Sequence, residues 1–283
     1  MRRHKKEFSI EKMAQMLNVS RSGYYEFLLN GESVREAKNK KLKEKIKNIH
    51  EKSRKVYGSP RVHHELKKQG EKVSRKRVAR LMREEGIQAK MRKKWKKTTT
   101  IDEKLEASPN YLNQKFIVAE PNKVWVSDIT YVRTEEGWLY LAIVMDLFSR
   151  KIVGLSMGDR LETELVSQAL RQGLTHRGVN ELVHHSDRGC QYTSKEFKEL
   201  TAKHGIKLSM SSKGNCYDNA VAESFFHTLK TEHTNFHRYR IREEAKGSIF
   251  EYIEVFYNRQ RSHSTTGYLS PEEFENQWKN RAK

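Results

Sequence analysis

Cysteine is almost missing from this chain. Cys190 and Cys216 are the only two in 283 residues, too few for a disulfide framework and without the paired spacing of a zinc site. No run of 18 apolar residues occurs, which excludes a transmembrane helix, and the first residues lack the apolar stretch of a signal peptide. There is no internal repeat and no long low-complexity segment. No Ser, Tyr or Cys stands in the setting of a catalytic nucleophile. These absences point to a reduced, cytoplasmic protein. A hydrophobic content of 36% still allows a globular core, and the length allows two domains.

Acidic residues are scarce in one part only. Residues 1–100 hold 31 Lys and Arg against 11 Asp and Glu, whereas residues 101–283 hold 25 of each. The whole formal charge of +20 therefore sits in the first third. An excess so confined points to a polyanion-binding arm on a neutral, separately folded domain, and nucleic acid is the polyanion that fits. A merely solvated basic tail fits less well, because the segment has helical periodicity and caps.

Residues 9–30 have the pattern of two short helices. Ile10, Met13, Ala14 and Leu17 share a face, Asn18-Val19 makes a turn, and Ser20 is placed to cap a helix carrying Arg21, Ser22, Tyr24 and Tyr25. A DNA-reading helix-turn-helix and a plain helical hairpin both fit this pattern. Residues 36–90 form a firmer set. A helix over about 36–53 has Leu42, Ile46 and Ile49 as its stripe. Ser59-Pro60 opens a second with Ser59 as N-cap, and Gly70 closes it. Ser74 caps a third, with Val78, Leu81 and Met82 inward, Arg75, Lys76, Arg77, Arg80 and Arg83 outward, and Gly86 at its end. This second pair is a helix-turn-helix with a DNA-binding face. The run Lys90–Lys97, with Lys93, Lys94 and Trp95, suits the phosphate backbone.

Three regions follow from this reading: a basic helical region over 1–97, a linker over 98–120 with a short helix near Pro109–Gln114, and an α/β domain over 121–283. Within the last, strands are predicted at 124–132, 138–147, 151–157, 181–185 and 206–209. Helices are predicted at about 162–176, 194–204, 217–232 and 242–259. Three antiparallel strands followed by alternating helices and strands give a mixed sheet with helices on both faces.

The most informative words are three acidic residues in dense surroundings. Asp128 stands in Trp125-Val-Ser-Asp-Ile-Thr-Tyr131, Asp187 in His184-His-Ser-Asp-Arg-Gly189, and Glu223 in Gly214-Asn-Cys-Tyr-Asp-Asn-Ala-Val-Ala-Glu223. The first lies in the first strand, the second just after the fourth, the third on a helix whose apolar face includes Val221, Phe225 and Leu229. If the strands are neighbours, both aspartates emerge at one place. Converging carboxylates need a cation to remain ionised together, and hard oxygen ligands suit Mg²⁺ or Mn²⁺. Lys230, two turns beyond Glu223, fits either a DNA phosphate contact or an ordinary solvated lysine. Asp146 reads as a turn cap and Asp218 as a helix N-terminal residue favoured by the dipole. His63-His64 lacks a matching Cys pair for zinc, and His184 and His185 read as structural strand-end residues.

These runs carry a resemblance. Residues 121–275 resemble the catalytic domain of insertion-sequence transposases of family three (the OrfB type), whose cores are similar to retroviral integrases. The matching stretches are the three above together with Asp146-Leu-Phe-Ser-Arg-Lys-Ile-Val-Gly154, and Tyr257-Asn258 through His263-Ser264 to Gly267-Tyr-Leu-Ser-Pro271. Residues 9–30 and 36–90 resemble the helical N-terminal part of the same family. Departures are small: Cys190 stands where the family often has serine, and Ser264-Thr-Thr266 replaces a more apolar stretch.

The resemblance implies an α/β, RNase H-like mixed five-stranded sheet with flanking helices, preceded by an all-α helix-turn-helix region. It implies that Asp128, Asp187 and Glu223 are the catalytic, metal-binding triad of a DDE transposase holding two Mg²⁺ ions, with Mn²⁺ able to substitute. Lys230 is then the basic residue seven after the glutamate. In such a site Mg²⁺-dependent DNA cleavage and strand transfer proceed by in-line displacement. The implied partners are the terminal inverted repeats and target DNA, further copies of the chain on DNA, and an upstream-frame product. No membrane is implied, and the expected location is the bacterial cytoplasm at the nucleoid. A DNA-binding regulator without catalysis and a simple RNase H-like nuclease are the alternatives.

Overall fold

A computed structural model describes residues 1–30, 33–90, 108–112, 116–212 and 216–281. They fall into two units, Met1–Ala89 and Lys90–Lys283.

In the first unit, α1 (Ile10–Met16) and α2 (Arg21–Asn30) are capped by Ser9 and Ser20, the latter through Gly23 N–H donating to its Oγ at 2.9 Å. Asn18 makes the turn between them at φ 51. Of the face predicted for α1 only Ala14 is buried, and Leu17 is 59% exposed. A firmer core lies in α3 (Val34–Lys52), α4 (Ser59–Lys68) and α5 (Arg75–Glu84). Ser33 and Glu36 form a reciprocal capping box at the start of α3. Leu42, Ile46 and Ile49 of α3 are buried with Val62 and Leu66 of α4 and Val78, Leu81 and Met82 of α5. Ser59 is the first helical residue of α4, and Gly58 takes the cap position predicted for it. The Gly58 carbonyl accepts the first helical bond from Val62 N–H, and Pro60 in the first turn has no N–H that would need a capping hydroxyl. Gly70 and Gly86 close α4 and α5 at positive φ, where a Cβ would be strained.

The second unit is built on a hairpin. β1 (Val124–Thr134) turns at Glu135-Glu136 into β2 (Gly137–Asp146), and β3 (Ile152–Gly158) continues antiparallel beside β2. α6 (Thr163–His176) then crosses to β4 (Val183–Ser186), which pairs parallel with β1. β5 (Lys207–Met210) adds parallel to β4, giving the order β3-β2-β1-β4-β5. This is the predicted RNase H-like mixed sheet.

One face packs on α6, with Trp125, Val144, Leu165, Ala169, Leu170 and Phe197 in its core. Gly154 lets α6 come down onto β3: a Cβ there would stand 2.0 Å from the Ala169 carbonyl oxygen. α7 (Cys190–Thr193) and α8 (Lys195–Lys203) lie between β4 and β5. α9 (Ala220–Glu232) and α10 (Arg242–Glu251) pack against β1, and α10 also against β2. A π-helical turn, Tyr252–Tyr257, extends α10 and buries Tyr252, Ile253, Phe256 and Tyr257 together.

Three findings depart from expectation. α7 and a closing helix, α11 (Pro271–Arg281), were not predicted. The short helix expected near Pro109–Gln114 is absent over 109–112. Instead the Pro109 carbonyl accepts Met210 N–H at 3.3 Å and Tyr111 N–H donates to Ser209 Oγ at 2.9 Å, so β5 takes up polar groups that a helix would use internally. Lys93, Lys94 and the rest of 91–97 lie outside the described residues, as do Gly214 and Asn215. Among the described residues no helix is long and apolar enough to cross a membrane.

Asn258, just beyond the π turn, is fully buried. Its side-chain amide accepts Ile152 N–H at 2.9 Å and donates to the Ile152 carbonyl at 3.0 Å. Asn258→Ala leaves both groups unpaired and should cost about 2–6 kcal/mol, at roughly 1–3 for each orphaned group. Urea unfolding followed by tryptophan fluorescence measures it, and an unchanged midpoint would contradict the role assigned to this amide.

Candidate active site

The parallel pairing of β1 and β4 is the first determinant of the site. Val126 is level with His185. Asp128 follows two residues on within β1, and Asp187 stands just past the end of β4, so the two carboxyl groups come from neighbouring strands. The third acidic residue arrives on α9, whose N-terminus is fixed beside them: Asn219 Nδ2 donates to the Ser127 carbonyl at 3.1 Å. Glu223 is exposed in the first turn of α9, where the dipole favours negative charge. At the other end Glu232 receives two hydrogen bonds from Arg261, at 2.7 and 2.6 Å, and one from Tyr252 Oη at 3.0 Å. Held at both ends, α9 carries Glu223 and Lys230 as a rigid pair. The buried face of this helix is Ala222, Phe225, Phe226 and Leu229, and Val221, expected on it, is only half-buried.

Charge governs what happens there. Burial, then the neighbouring charge of Asp187 and more weakly that of Glu223, pushes the Asp128 carboxyl up to about 8, against the pull of Ile129 N–H and Lys230. Ile129 N–H reaches Asp128 Oδ1 at 2.8 Å. Burial also raises Asp187, opposed by Gly189 N–H on its Oδ1 at 3.0 Å. Lys230 is drawn down by burial and held up by Asp128, and its Nζ lies 5.0 Å from the centre of the Tyr131 ring. Among the described residues no three His, Cys, Asp or Glu side chains stand close enough to form a ready coordination shell. Asp187 and Glu223 are thus near enough to act on Asp128 without the three sharing a shell. Such an arrangement fits a divalent cation, because hard carboxylate oxygens are its preferred donors and their repulsion is what it relieves.

The surrounding polar residues serve the frame. His184 Nε2 bonds Ser127 Oγ at 2.7 Å and His185 Nδ1 bonds Ser209 Oγ at 2.9 Å, pegging β4 to β1 and to β5. Burial holds both rings neutral, pushing His184 down to about 3 and His185 to about 4. Asp146 caps its turn through Phe148 N–H at 2.9 Å. It also meets Arg177, which reaches buried Glu275 of α11 at 2.9 Å. Asp218 is buried in the 3-10 turn before α9, not at the helix start predicted for it, and accepts from Ser212 N–H and Asn110 Nδ2, each at 2.8 Å. His63 Nε2 bonds the Val73 carbonyl at 3.0 Å. The roles of Arg177, Glu275 and Arg261, and that of Asn258, which stands in one of the matching stretches, were not expected from the sequence. Their partners lie 29 to 126 residues away, a separation that local pattern does not register.

The basic residues of the first unit divide by engagement. Arg75 and Lys76 are exposed on α5. Arg77 is half-buried, its guanidinium donating twice to Asn39 Oδ1, at 3.1 and 2.7 Å. Arg80 pairs with Glu84, and Arg21 with Glu11 at 2.9 Å. Arg75 and Lys76 are therefore the freer cations.

Residues 118–216 and 223–278 match the integrase core domain, and residues 36–95 match an HTH-like domain. A 31 kDa protein of insertion element IS600 from Shigella sonnei is 46% identical over 93% of this chain and 97% of its own length. Transposase InsF of insertion sequence IS3A from Escherichia coli K12 is 41% identical over 97% of this chain and 96% of its own. Among solved structures, the catalytic core domain of BIV integrase overlaps 57% of this chain and 98% of that one, at 17% identity and a TM-score of 0.43. That overlap is too loose to add weight to the sequence matches.

The raised Asp128 carboxyl makes stability depend on pH in a defined direction. In metal-free folded protein the group keeps its proton to about pH 8, whereas in the unfolded chain it ionises near 3.9. Between those values the folded state binds more protons, so this contribution falls as pH rises from about 4 to 8. In EDTA, Asp128→Asn should raise stability at pH 8 by up to about 5 kcal/mol, since about four pKa units are involved and each is worth about 1.4, and should change little at pH 4.5. Thermal melting at the two pH values measures this, and a variant less stable than wild type at pH 8 would refute it.

Proposed function

The chain belongs to the transposases of the IS3 family of insertion sequences, and from that premise we propose that Asp128, Asp187 and Glu223 are its catalytic, metal-binding triad. It is a DDE transposase, a metal-dependent polynucleotidyl transferase that cuts DNA strands at element ends and joins them to DNA. The observation that supports the site assignment is that Asp187, just past the strand paired with β1, and Glu223, on the anchored helix α9, both stand close enough for their charges to act on buried Asp128.

Two Mg²⁺ ions, or Mn²⁺ in their place, would supply Lewis-acid activation of the attacking oxygen and stabilise the leaving 3′ oxygen of an in-line displacement. Asp128, between the other two, would hold both ions, with Asp187 and Glu223 holding one each. Ile129 N–H and Gly189 N–H each fix one carboxylate oxygen and leave the other for a cation. Lys230, its charge kept by Asp128, would meet a DNA phosphate near the reacting bond. The nucleophile is water or a DNA 3′-OH, so the protein forms no covalent intermediate.

The substrate reading extends to the helical unit. Arg75 and Lys76 of α5 would bind phosphates of the terminal inverted repeats, with Arg21, Arg77, Arg80, Lys93 and Lys94 as further contacts. Bringing two element ends together requires at least two copies of the chain on DNA. A product of an upstream reading frame is a further expected partner, and the nucleoid the expected place of work.

Purified protein incubated with its own element ends should release and join 3′ ends only with Mg²⁺ or Mn²⁺. Asp128→Asn and Glu223→Gln should each abolish joining while retaining DNA binding by gel shift. Nicked but never joined products would reduce the protein to a nuclease. Metal-dependent joining that persisted in Asp128→Asn would remove the triad assignment.

For the arm, Arg75→Ala with Lys76→Ala should weaken DNA binding and flatten its logarithmic salt dependence by about 0.9 per lost phosphate contact on duplex DNA. Fluorescence anisotropy across a salt series reads the slope. A slope equal to wild type would mean that α5 presents this end away from DNA.

A further inference from the structure

The hydroxyl of Tyr192 is buried and, among the described residues, has no hydrogen-bond partner. The residue is 1% exposed, in the core between the sheet and α8. Burying a hydroxyl unpaired is costly, and phenylalanine would fill the same space without that cost. An orphaned donor of this kind asks for an acceptor that arrives later.

Its position limits what that acceptor can be. Tyr192 N–H donates to the Gly189 carbonyl at 3.0 Å, and Gly189 N–H donates to Asp187 Oδ1 at 3.0 Å, so two hydrogen bonds link the tyrosine to one carboxylate. A Cβ placed on Gly189 would lie 3.1 Å from Asp187 Oδ1 and 3.7 Å from Tyr192 Cδ2, so carboxylate and ring edge border the same small space. On its other side the ring packs near His184, with centroids 6.1 Å apart, and His184 bonds Ser127, the residue before Asp128. The ring therefore lies between the Gly189 turn that follows Asp187 and the His184 ring beside Ser127. Burial first, then the charges of Asp128 and Asp187, keeps its phenol protonated, a donor at any working pH.

We propose that Tyr192 is a positioning residue of the metal site, whose hydroxyl donates to the oxygen of Asp128 or Asp187 turned toward it when a divalent cation gathers the carboxylates. This rests on the triad reading above. Groups that hydrogen-bond ligating carboxylates fix their orientation, and losing one commonly lowers metal affinity 10–100-fold. In the metal-free protein the same hydroxyl has nothing to bond, so its benefit appears only on loading.

The test compares full-length wild type, Tyr192→Phe and Asp128→Asn by calorimetric titration with Mn²⁺ and by thermal melting in EDTA. Tyr192→Phe should bind Mn²⁺ about 10-fold or more weakly and melt in EDTA at or above the wild-type temperature. Wild-type affinity in Tyr192→Phe alongside lost binding in Asp128→Asn would overturn the tyrosine's role and leave the triad standing. A lower melting temperature for Tyr192→Phe in EDTA would also overturn it, because the hydroxyl would then already be satisfied. Unchanged Mn²⁺ affinity in Asp128→Asn would sink the triad reading, and this inference with it.

Discussion

Two neighbouring carboxyl groups that cannot easily ionise together are the constraint on which the catalytic unit depends. The parallel pairing of β1 and β4 brings Asp187 near Asp128, and several neighbouring contacts hold the two strands there. His184 and His185 hold β4 on either side with neutral rings, which add pegging hydrogen bonds and no charge. Asn219 secures α9 to the backbone one residue before Asp128. Lys230 contributes the positive charge that faces Asp128, with the Tyr131 ring beneath its ammonium group. The metal-free site thus resembles a set spring, whose compression a cation relieves.

A deeper layer of buried charge fixes the periphery. Arg261 and Glu232 form a bidentate pair at the far end of α9, and Arg177 joins Asp146 to Glu275 of α11. Burial pushes Asp146 up to about 6 even with Arg177 beside it, so this cluster is held for geometry more than for net attraction. Its effect is to tie the last helix to the turn after β2, far along the chain from either partner. The sheet is in this way clamped from both ends of the domain sequence.

The sheet was legible because strands alternate locally, and Asp187 was expected just past the fourth strand, where it stands; Asp128 lies within β1. The expected strands match the five observed to within one or two residues. The cap of α5 at Ser74 and the turn-capping role of Asp146 were equally readable, since each uses residues within three positions. What escaped has a common cause. Asn258 mimics a strand neighbour for Ile152 from 106 residues away, and residues 109–112 abandon a local helix to pair with β5. Asp218 looked like a dipole-favoured surface acid and is a buried hub, because its partners Asn110 and Ser212 are supplied by a distant segment and a loop. Tyr192 stood in plain view beside Asp187, but nothing in the sequence marks a hydroxyl as lacking a partner.

Asn258 also bears on how copies of this chain can meet. β3 and β5 are the outer strands, and an open outer strand invites another chain to continue the sheet. Here the amide of Asn258 occupies both main-chain groups of Ile152, and Gln172 Oε1 takes Leu155 N–H at 2.6 Å. On the far side Pro109 takes up Met210 N–H. Four main-chain groups on these borders are thus already occupied by the chain itself. Where copies are crowded together, an incoming strand finds no partner at those four positions, which blunts the sheet's edges as a place of uncontrolled joining.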